Sequence, residues 1–230
     1  YRTITDLLGA EYYIDNSDIN NPNNIVGVGD KYSYNNDGIV NWLGGFAQLE
    51  YTKDKLSAFF SGSISNTANK RVDYFNYLDS DPAQTSEVQN FLGYQAKGGA
   101  NYNLTDNQNV FANLGYFEKA PIFDNVFLNF QNDVNPDAEN EKILSYELGY
   151  GYRGTNFSAN VNLYRTQWRD RAFVRSIPNN SGDDIIANLT GVNAIHQGLE
   201  IDFVYRPSST LTVRGMGSFC DWTWENDLKD

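Results

Sequence analysis

Leu92-Gly-Tyr-Gln-Ala-Lys-Gly-Gly-Ala-Asn-Tyr-Asn-Leu104 decides how this chain is read. Leu92, Tyr94, Ala96, Ala100, Tyr102 and Leu104 fall on one parity, and Gln95, Lys97, Asn101 and Asn103 on the other. Successive side chains of a strand point to opposite sides, so the stretch predicts a long strand with one apolar and one polar face. Thr105-Asp-Asn107 then supplies turn residues. Beyond it the alternation resumes, with Val110, Ala112, Leu114 and Tyr116 set against Asn109, Phe111 and Asn113. Strand, short turn, strand is a hairpin.

The same pattern extends in both directions. Upstream, Trp42 to Thr52 places Leu43, Ala47, Leu49 and Tyr51 opposite Trp42, Phe46, Gln48 and Glu50. From Lys55 to about residue 75, Leu56, Ala58, Phe60 and Ile64 oppose Ser57, Ser61, Ser63 and Ser65. Downstream, Leu144, Tyr146, Leu148, Tyr150 and Tyr152 oppose Ser145, Glu147, Gly149 and Gly151, and Phe157, Ala159, Val161 and Leu163 oppose Ser158, Asn160 and Asn162. Ile195, Leu199, Ile201, Phe203 and Tyr205 oppose His196, Glu200 and Asp202, and Leu211 to Trp222 alternates less cleanly. That makes eight strands. Residues 1 to 39 read as an irregular polar arm, with Tyr12 to Ile14 as a short strand inside it.

The connections alternate in length. Short turns are expected at Thr52 to Lys55, Thr105 to Asn107, Arg153 to Asn156 and Arg206 to Ser209, and long polar loops at 76 to 91, 118 to 140 and 174 to 190. This is an all-β, antiparallel, up-and-down meander. Short turns on one side and long loops on the other are the asymmetry of a transmembrane barrel. A tyrosine of apolar parity precedes each short turn: Tyr51, Tyr102, Tyr152 and Tyr205. Amphipathic rings collect where hydrocarbon meets headgroup, so these four predict one interfacial row.

Composition narrows the function. Lys and Arg number 17 against 29 Asp and Glu, a formal charge of −12, without a basic run, which argues against a nucleic-acid partner. With one Cys and one His, the chain can close no internal disulfide and cannot supply the four Cys or His ligands of a structural zinc site. No metal or cofactor is expected. No signal peptide opens the chain, and no apolar run approaches the roughly 18 residues of a membrane helix. A mean hydropathy of −0.54 leaves a strand-spanning barrel open. Aromatics are 15% of the chain and asparagines are abundant. A soluble carbohydrate-binding β-sandwich would also explain those residues, through sugar stacking. A strand of some twenty residues near Lys55 weighs against it, since sandwich strands run to about 5 to 6 residues.

Tyr116-Phe-Glu-Lys-Ala-Pro121, then Asn135-Pro-Asp-Ala-Glu-Asn-Glu141, then Ser145-Tyr-Glu-Leu-Gly149, resembles the barrel signature of TonB-dependent outer-membrane receptors. Gly198-Leu-Glu200 with Tyr205-Arg-Pro207 resembles a later barrel element, and Asp6 to Asp15, Gly29 to Lys31 and Lys70 to Phe75 look like versions from the Bacteroidetes. Lys119 departs from the usual Arg, and Ala138 and Glu139 from the usual Leu-Lys. The resemblance implies that residues 40 to 230 are about eight strands of a 22-stranded barrel in the outer membrane of a Gram-negative bacterium, with 1 to 39 an extracellular arm. It also implies active uptake of a large, scarce nutrient (siderophore, cobalamin, glycan or peptide), and no enzymatic activity. The partners it implies are outer-membrane lipid, the protein's own plug domain, TonB through an N-terminal part, and a surface lipoprotein. Neither plug nor TonB box is read in these 230 residues.

For ligand contact the sequence offers Arg71, Asp73, Trp168 and Asp170, expected at loop-side strand ends with inward parity. Arg and Trp are favoured at binding hot spots, while an Arg71 to Asp73 ion pair and an interfacial Trp are the plainer reading. His196, Glu200 and Asp202 share a face, but His196 stands about 13 and 20 Å from the two carboxylates along a strand, too far for acid–base work. Glu147 reads as a wall residue, and Gly149 and Gly151 beside it as space for lumenal contents. Pro121 and Asn135-Pro136 read as a strand end and a turn.

Overall fold

The computed structural model describes residues 2–5, 17–178 and 184–226, with the backbone alone at Arg2, 177–178 and 184–186. Two short strands, β1 (Arg2–Thr3) and β2 (Lys31–Tyr32), pair within the arm. The main sheet holds β3 (Asn36–Lys53), β4 (Leu56–Asp73), β5 (Gln89–Thr105), β6 (Gln108–Lys119), β7 (Glu141–Arg153), β8 (Phe157–Pro178), β9 (Asp184–Ser208) and β10 (Leu211–Trp224). Each strand pairs antiparallel with its sequence neighbour, from β10 through to β3. The eight-stranded meander read from alternation is therefore present, and the expected strand at Tyr12 to Ile14 lies outside the described residues.

Several boundaries differ from the expectation. β3 begins at Asn36, inside the stretch read as arm. The last short turn is Ser209–Thr210, with Arg206 and Pro207 still in β9. Pro207 is tolerated there because pairing shifts between Leu211 and Val213, and a bulge spares the missing donor. The largest difference is at 174 to 190, expected as a loop, where β8 and β9 continue as a hairpin pairing Phe173 with Leu189 and Arg175 with Ala187. Pro121 follows the end of β6, as expected. Asn135 turns the chain as expected, its Oδ1 accepting from the Asp137 N–H at 3.0 Å.

Cross-strand register assigns the faces. Tyr51, Ala58, Ala100, Ala112, Leu148, Leu163, Leu199 and Phe219 form one continuous row across all eight strands. That face carries Leu43, Leu49, Phe60, Leu114 and Phe219, all largely exposed. Nothing among the described residues packs against it. The buried apolar side chains, Ile4, Val26, Phe75, Val126, Phe127, Val192 and Ala194, lie instead in the arm, the loops and the loop-side part of β9. A sandwich buries its apolar face between two sheets. Here that face lies exposed.

All four turn-side tyrosines share this outer face. Tyr51 is level with Ala58, Tyr102 two residues nearer the turns beside Val110, Tyr152 two further beside Ala159, and Tyr205 two further beside Phe157. An advance of about 6.8 Å along the strands for every about 9.6 Å across two of them corresponds to a tilt of about 35°. Barrel strands tilt by roughly 35 to 45°, so on tilted strands the four rings stand at one height. Tyr146, Tyr116 and Tyr94 form a second outer row six to eight residues higher on the same reckoning. At about 2.8 Å of height per residue the rows are about 17 to 22 Å apart, close to the roughly 25 Å apolar band between the aromatic girdles of a membrane barrel.

Candidate functional site: the lumenal face and its mouth

The opposite face is polar and internally bonded. Glu147 accepts from Asn113 Nδ2 at 2.8 Å and from Asn162 Nδ2, Asn160 donates to Asp202 at 3.0 Å, and Ser145 meets Thr166 at 2.9 Å. Glu147 is thus a wall residue bracketed by two asparagines. The space expected at Gly149 is filled by the Phe111 ring, which lies where a Cβ would stand, and at Gly151 by the amide oxygens of Asn109 and Asn160. Cross-strand aromatics seat on these glycines because the missing side chain lets a ring lie flat on the backbone.

The four predicted site residues do not converge. Arg71 and Asp73 end β4 with 4% and 1% of their side chains exposed, joined at 3.1 Å. Asp73 Oδ1 also accepts from the N–H groups of Phe75 and Asn76 at 3.1 Å each, and its Oδ2 from Asn76 Nδ2 at 2.9 Å. Arg71 donates to Asn132 Oδ1 at 3.3 Å, and Asn132 Nδ2 donates to the carbonyls of Ala83 and Gln84 at 2.8 Å. The pair is spent on fastening the loops 74–88 and 120–140 to each other. Tyr77, in the first of these loops, has its phenol pKa raised by burial and then by the Asp133 carboxylate.

Trp168 and Asp170 lie on opposite faces. Pairing shifts between Trp168 and Arg171, and Asp170 takes a left-handed φ of 59°. One extra residue reverses the parity. Asp170 turns outward to Lys142 Nζ at 2.7 Å. Trp168 and Arg171 both face the lumen, the guanidinium 4.9 Å from the Trp168 ring centre and also beside Phe173 and Trp224 at 5.0 and 5.6 Å. Arg171 Nε donates to Glu141 at 2.9 Å.

Trp168 belongs to a cluster that strand-by-strand reading misses. His196 lies 5.9 Å from its ring centre and stacks on Trp222 at 5.1 Å, while Trp222 Nε1 donates to Tyr164 Oη at 3.1 Å. The ring contacts of His196 are with aromatics. Asp202, which accepts from Asn160, is six residues along the strand. Among the described residues no three His, Cys, Asp or Glu side chains gather into a metal-binding group.

The cluster is part of an inward collar. Phe117, Ile143 and Trp168 occupy one cross-strand row, Trp42, Thr67 and Phe91 another, and Thr166, His196 and Trp222 a third. With the strand tilt, the rows share a level about 22 to 31 Å above the lower tyrosines, taking about 2.8 Å per residue. The segment after β6 folds over this collar. Its one-turn helix α1 (Phe123–Val126) sets Phe123 against Gly38, and Phe127, 1% exposed, lies 5.1 Å from the Phe123 ring. α1 reaches β8, and the 3-10 turn Leu128–Phe130 reaches β9. Two cavities open on the lumenal face, about 940 Å³ under residues 120–123 and about 570 Å³ further down β3–β6. The register needed to find them is not written in any single strand.

The sequence matches the family model described as TonB dependent receptor-like, beta-barrel, over residues 2–228. Among curated proteins none matches. Solved structures with a similar fold include the copper transporter OprC, at 17% identity and a TM-score of 0.66 over 84% of this chain and 30% of that one. The ferric-catecholate import receptor Fiu from E. coli K12 matches at 16% identity and a TM-score of 0.61, over 89% of this chain and 30% of that one. The FrpB iron transporter from Neisseria meningitidis matches at 14% identity and a TM-score of 0.55, over 84% and 27%. The chain therefore spans about 30% of the length of these structures. With a two-faced meander of tilted strands and the family model matched from residue 2 to 228, this chain belongs to the TonB-dependent receptor β-barrel family.

Proposed function

We propose that these residues form eight adjacent wall strands of an outer-membrane receptor that takes up a large, scarce nutrient across a Gram-negative outer membrane. One observation carries the reading: between the two tyrosine rows the outer face is apolar and unpacked, while the inner face is polar, internally hydrogen-bonded and hollowed by cavities. Lipid outside and a ligand path inside account for both faces. Loops 74–88 and 120–140 and the β8–β9 hairpin then face the exterior, and residues before β3 form an arm over them, with Asn20 bonding the carbonyls of Tyr74 and Tyr77 at 3.2 and 3.0 Å.

Of the four candidate residues, this reading assigns ligand contact to Trp168, on the strength of its lumenal position. Arg71 and Asp73 act through the loops they fasten, and Asp170 acts on the bulge that turns Trp168 and Arg171 inward. A plug domain and TonB supply gating and energy in this reading, and the Bacteroidetes-like motifs favour a surface lipoprotein partner. The ligand remains one of siderophore, cobalamin, glycan or peptide. The test is expression of the full-length receptor in an outer membrane, with uptake of candidate nutrients followed in cells with and without TonB. Uptake lost without TonB supports the proposal, and recovery of the receptor in the soluble fraction refutes it.

A further inference from the structure

We propose that Arg169, on the outer face of β8, grips the phosphate of a lipid in the outer leaflet, whose acyl chains lie along the leucines below it. The inference rests on the receptor reading above, which sets this face against the bilayer. Up the outer side of β8, Leu163 is followed by Arg165, Gln167 and Arg169, paired in register with Leu148, Tyr146, Leu144 and Lys142 of β7. By register and tilt these four residues of β8 stand about 14, 20, 25 and 31 Å above the lower tyrosine row, at about 2.8 Å per residue. The apolar band of a membrane barrel is roughly 25 Å tall. Leu163 is therefore within it, Arg165 is level with the upper tyrosines, and Arg169 lies just beyond the hydrocarbon. That is the level of lipid phosphates. β8 has a paired strand on each side, so the exposure of Arg169 is not the effect of a sheet edge.

The charges around Arg169 are already committed to one another. Lys142, directly across from it, is held by Asp170 at 2.7 Å and by Glu139 at 3.2 Å. Arg165 donates to Gln197 at 2.8 Å, and Gln197 donates to Asp221 at 3.1 Å. Glu118, the outward carboxylate that ends this face of β6, accepts from Tyr116 Oη at 2.7 Å and from Asn140 Nδ2 at 3.4 Å. Among the described residues Arg169 itself makes no ion pair. The bulge produces this arrangement: with φ of 59°, Asp170 follows Arg169 onto the outer side, takes Lys142, and leaves the guanidinium to its surroundings. Two cations directly opposite on paired strands are unfavourable in themselves. An anion placed between them removes that cost.

A guanidinium offers parallel N–H donors that match two phosphate oxygens, which an ammonium does not. The Gln167 amide adds a donor one step below. Beneath it Leu163 is 53% exposed and lies beside Leu148, an apolar surface for acyl chains. Basic side chains at a membrane surface attract anionic headgroups, and the outer leaflet of a Gram-negative outer membrane is built of a phosphorylated glycolipid. Headgroup and chains thus meet matching chemistry on one strand.

The test uses the purified full-length receptor in detergent, titrated with bisphosphorylated lipid A, with the same lipid after removal of its phosphates, and with inorganic phosphate. The bisphosphorylated lipid is expected to bind about tenfold more tightly than the phosphate-free one, and Arg169→Ala to abolish that difference. Arg169→Lys should recover only part of it, because a point charge replaces the fork. Arg153→Ala, at a short turn on the far side of the bilayer, should bind as the parent does. Equal affinity for the two lipids overturns the proposal, and so does a phosphate preference that survives Arg169→Ala. Inorganic phosphate binding as tightly as the lipid, and lost in Arg169→Ala, overturns a lipid as the occupant. Any of these results with nutrient uptake still dependent on TonB sinks the headgroup site alone, whereas recovery of the receptor in the soluble fraction sinks the receptor reading with it.

Discussion

Leu148→Arg separates a lipid-facing sheet from a water-facing one by the sign of its effect. Leu148 is 61% exposed on the outer face of β7, between Tyr146 and Tyr150. It lies four residues above Tyr152 on the same strand, which at a tilt of about 35° is about 11 Å of height. That is close to the middle of a roughly 25 Å apolar band. Arginine at the midplane of a barrel's lipid face costs about 2 to 4 kcal/mol, and near an interface only about 0 to 1. Were the face wet, the exposed substitution would fall within about ±0.5 kcal/mol. The lipid reading therefore expects the folded-to-unfolded ratio to drop by roughly 30- to 900-fold, at 1.36 kcal/mol per decade, with Tyr152→Arg on the same strand as the shallow control. The assay is reversible urea unfolding of the full-length receptor in lipid vesicles. Equal stabilities for Leu148→Arg, Tyr152→Arg and the parent protein would refute the assignment of this face to hydrocarbon.

Three other perturbations reach other parts of the chain. Gly149→Val forces a side chain into the space of the Phe111 ring and is expected to cost about 1 to 3 kcal/mol, read in the same unfolding assay, while Gly45→Val, which meets nothing within 4 Å, should be nearly neutral. Asp73→Ala strands a buried Arg71 and, at about 3 to 5 kcal/mol for breaking such a pair, should release loop 74–88 to rapid proteolysis; Asp73→Asn, which keeps an acceptor for the Phe75 and Asn76 N–H groups, should release it less. Protease added to intact cells should cut within 74–88 or 120–140 and spare Arg153-Gly154. Cleavage confined to the short turns would reverse the orientation.

The fold was legible wherever lipid demanded it. β5 and β6 alternate cleanly because one face must be apolar and the other lines a polar lumen. The contrast fades above the upper tyrosine row, where both faces of a strand meet water or loops. That is why Val174, Arg175 and Asn188 read as loop and yet are strand. The bulge at Asp170 was invisible for another reason: a non-glycine residue with φ of 59° carries no marker in sequence, so counting by twos put Asp170 beside Trp168. The sequence put His196 on one face with Glu200 and Asp202 but carried no sign of its aromatic contacts, because Trp168 and Trp222 come from other strands. Gly149 was read as a gap for the same cause, its occupant being Phe111 on β6. A candidate site made of cross-strand rows needs the register, and register is fixed by turns and bulges.

The sheet also constrains what must surround it. β3 and β10 are its two ends, and each has one edge without a partner strand. In hydrocarbon no water satisfies those backbone groups, and each unsatisfied group costs several kcal/mol, so both edges require a neighbour. Pairing β3 directly with β10 would give eight strands, and the interior of an eight-stranded barrel is just wide enough for its own side chains to fill. This lumenal face is hollowed instead by cavities of about 940 and 570 Å³, and a loop with Phe127 buried lies over its mouth. The exposed inward apolar side chains support the wider closure: on the main sheet, the largest such exposures among the described residues fall on β3 and β10, at Trp42, Phe46, Met216, Trp222 and Trp224. Further strands must therefore enter at both edges, with the aromatic collar continuing onto them.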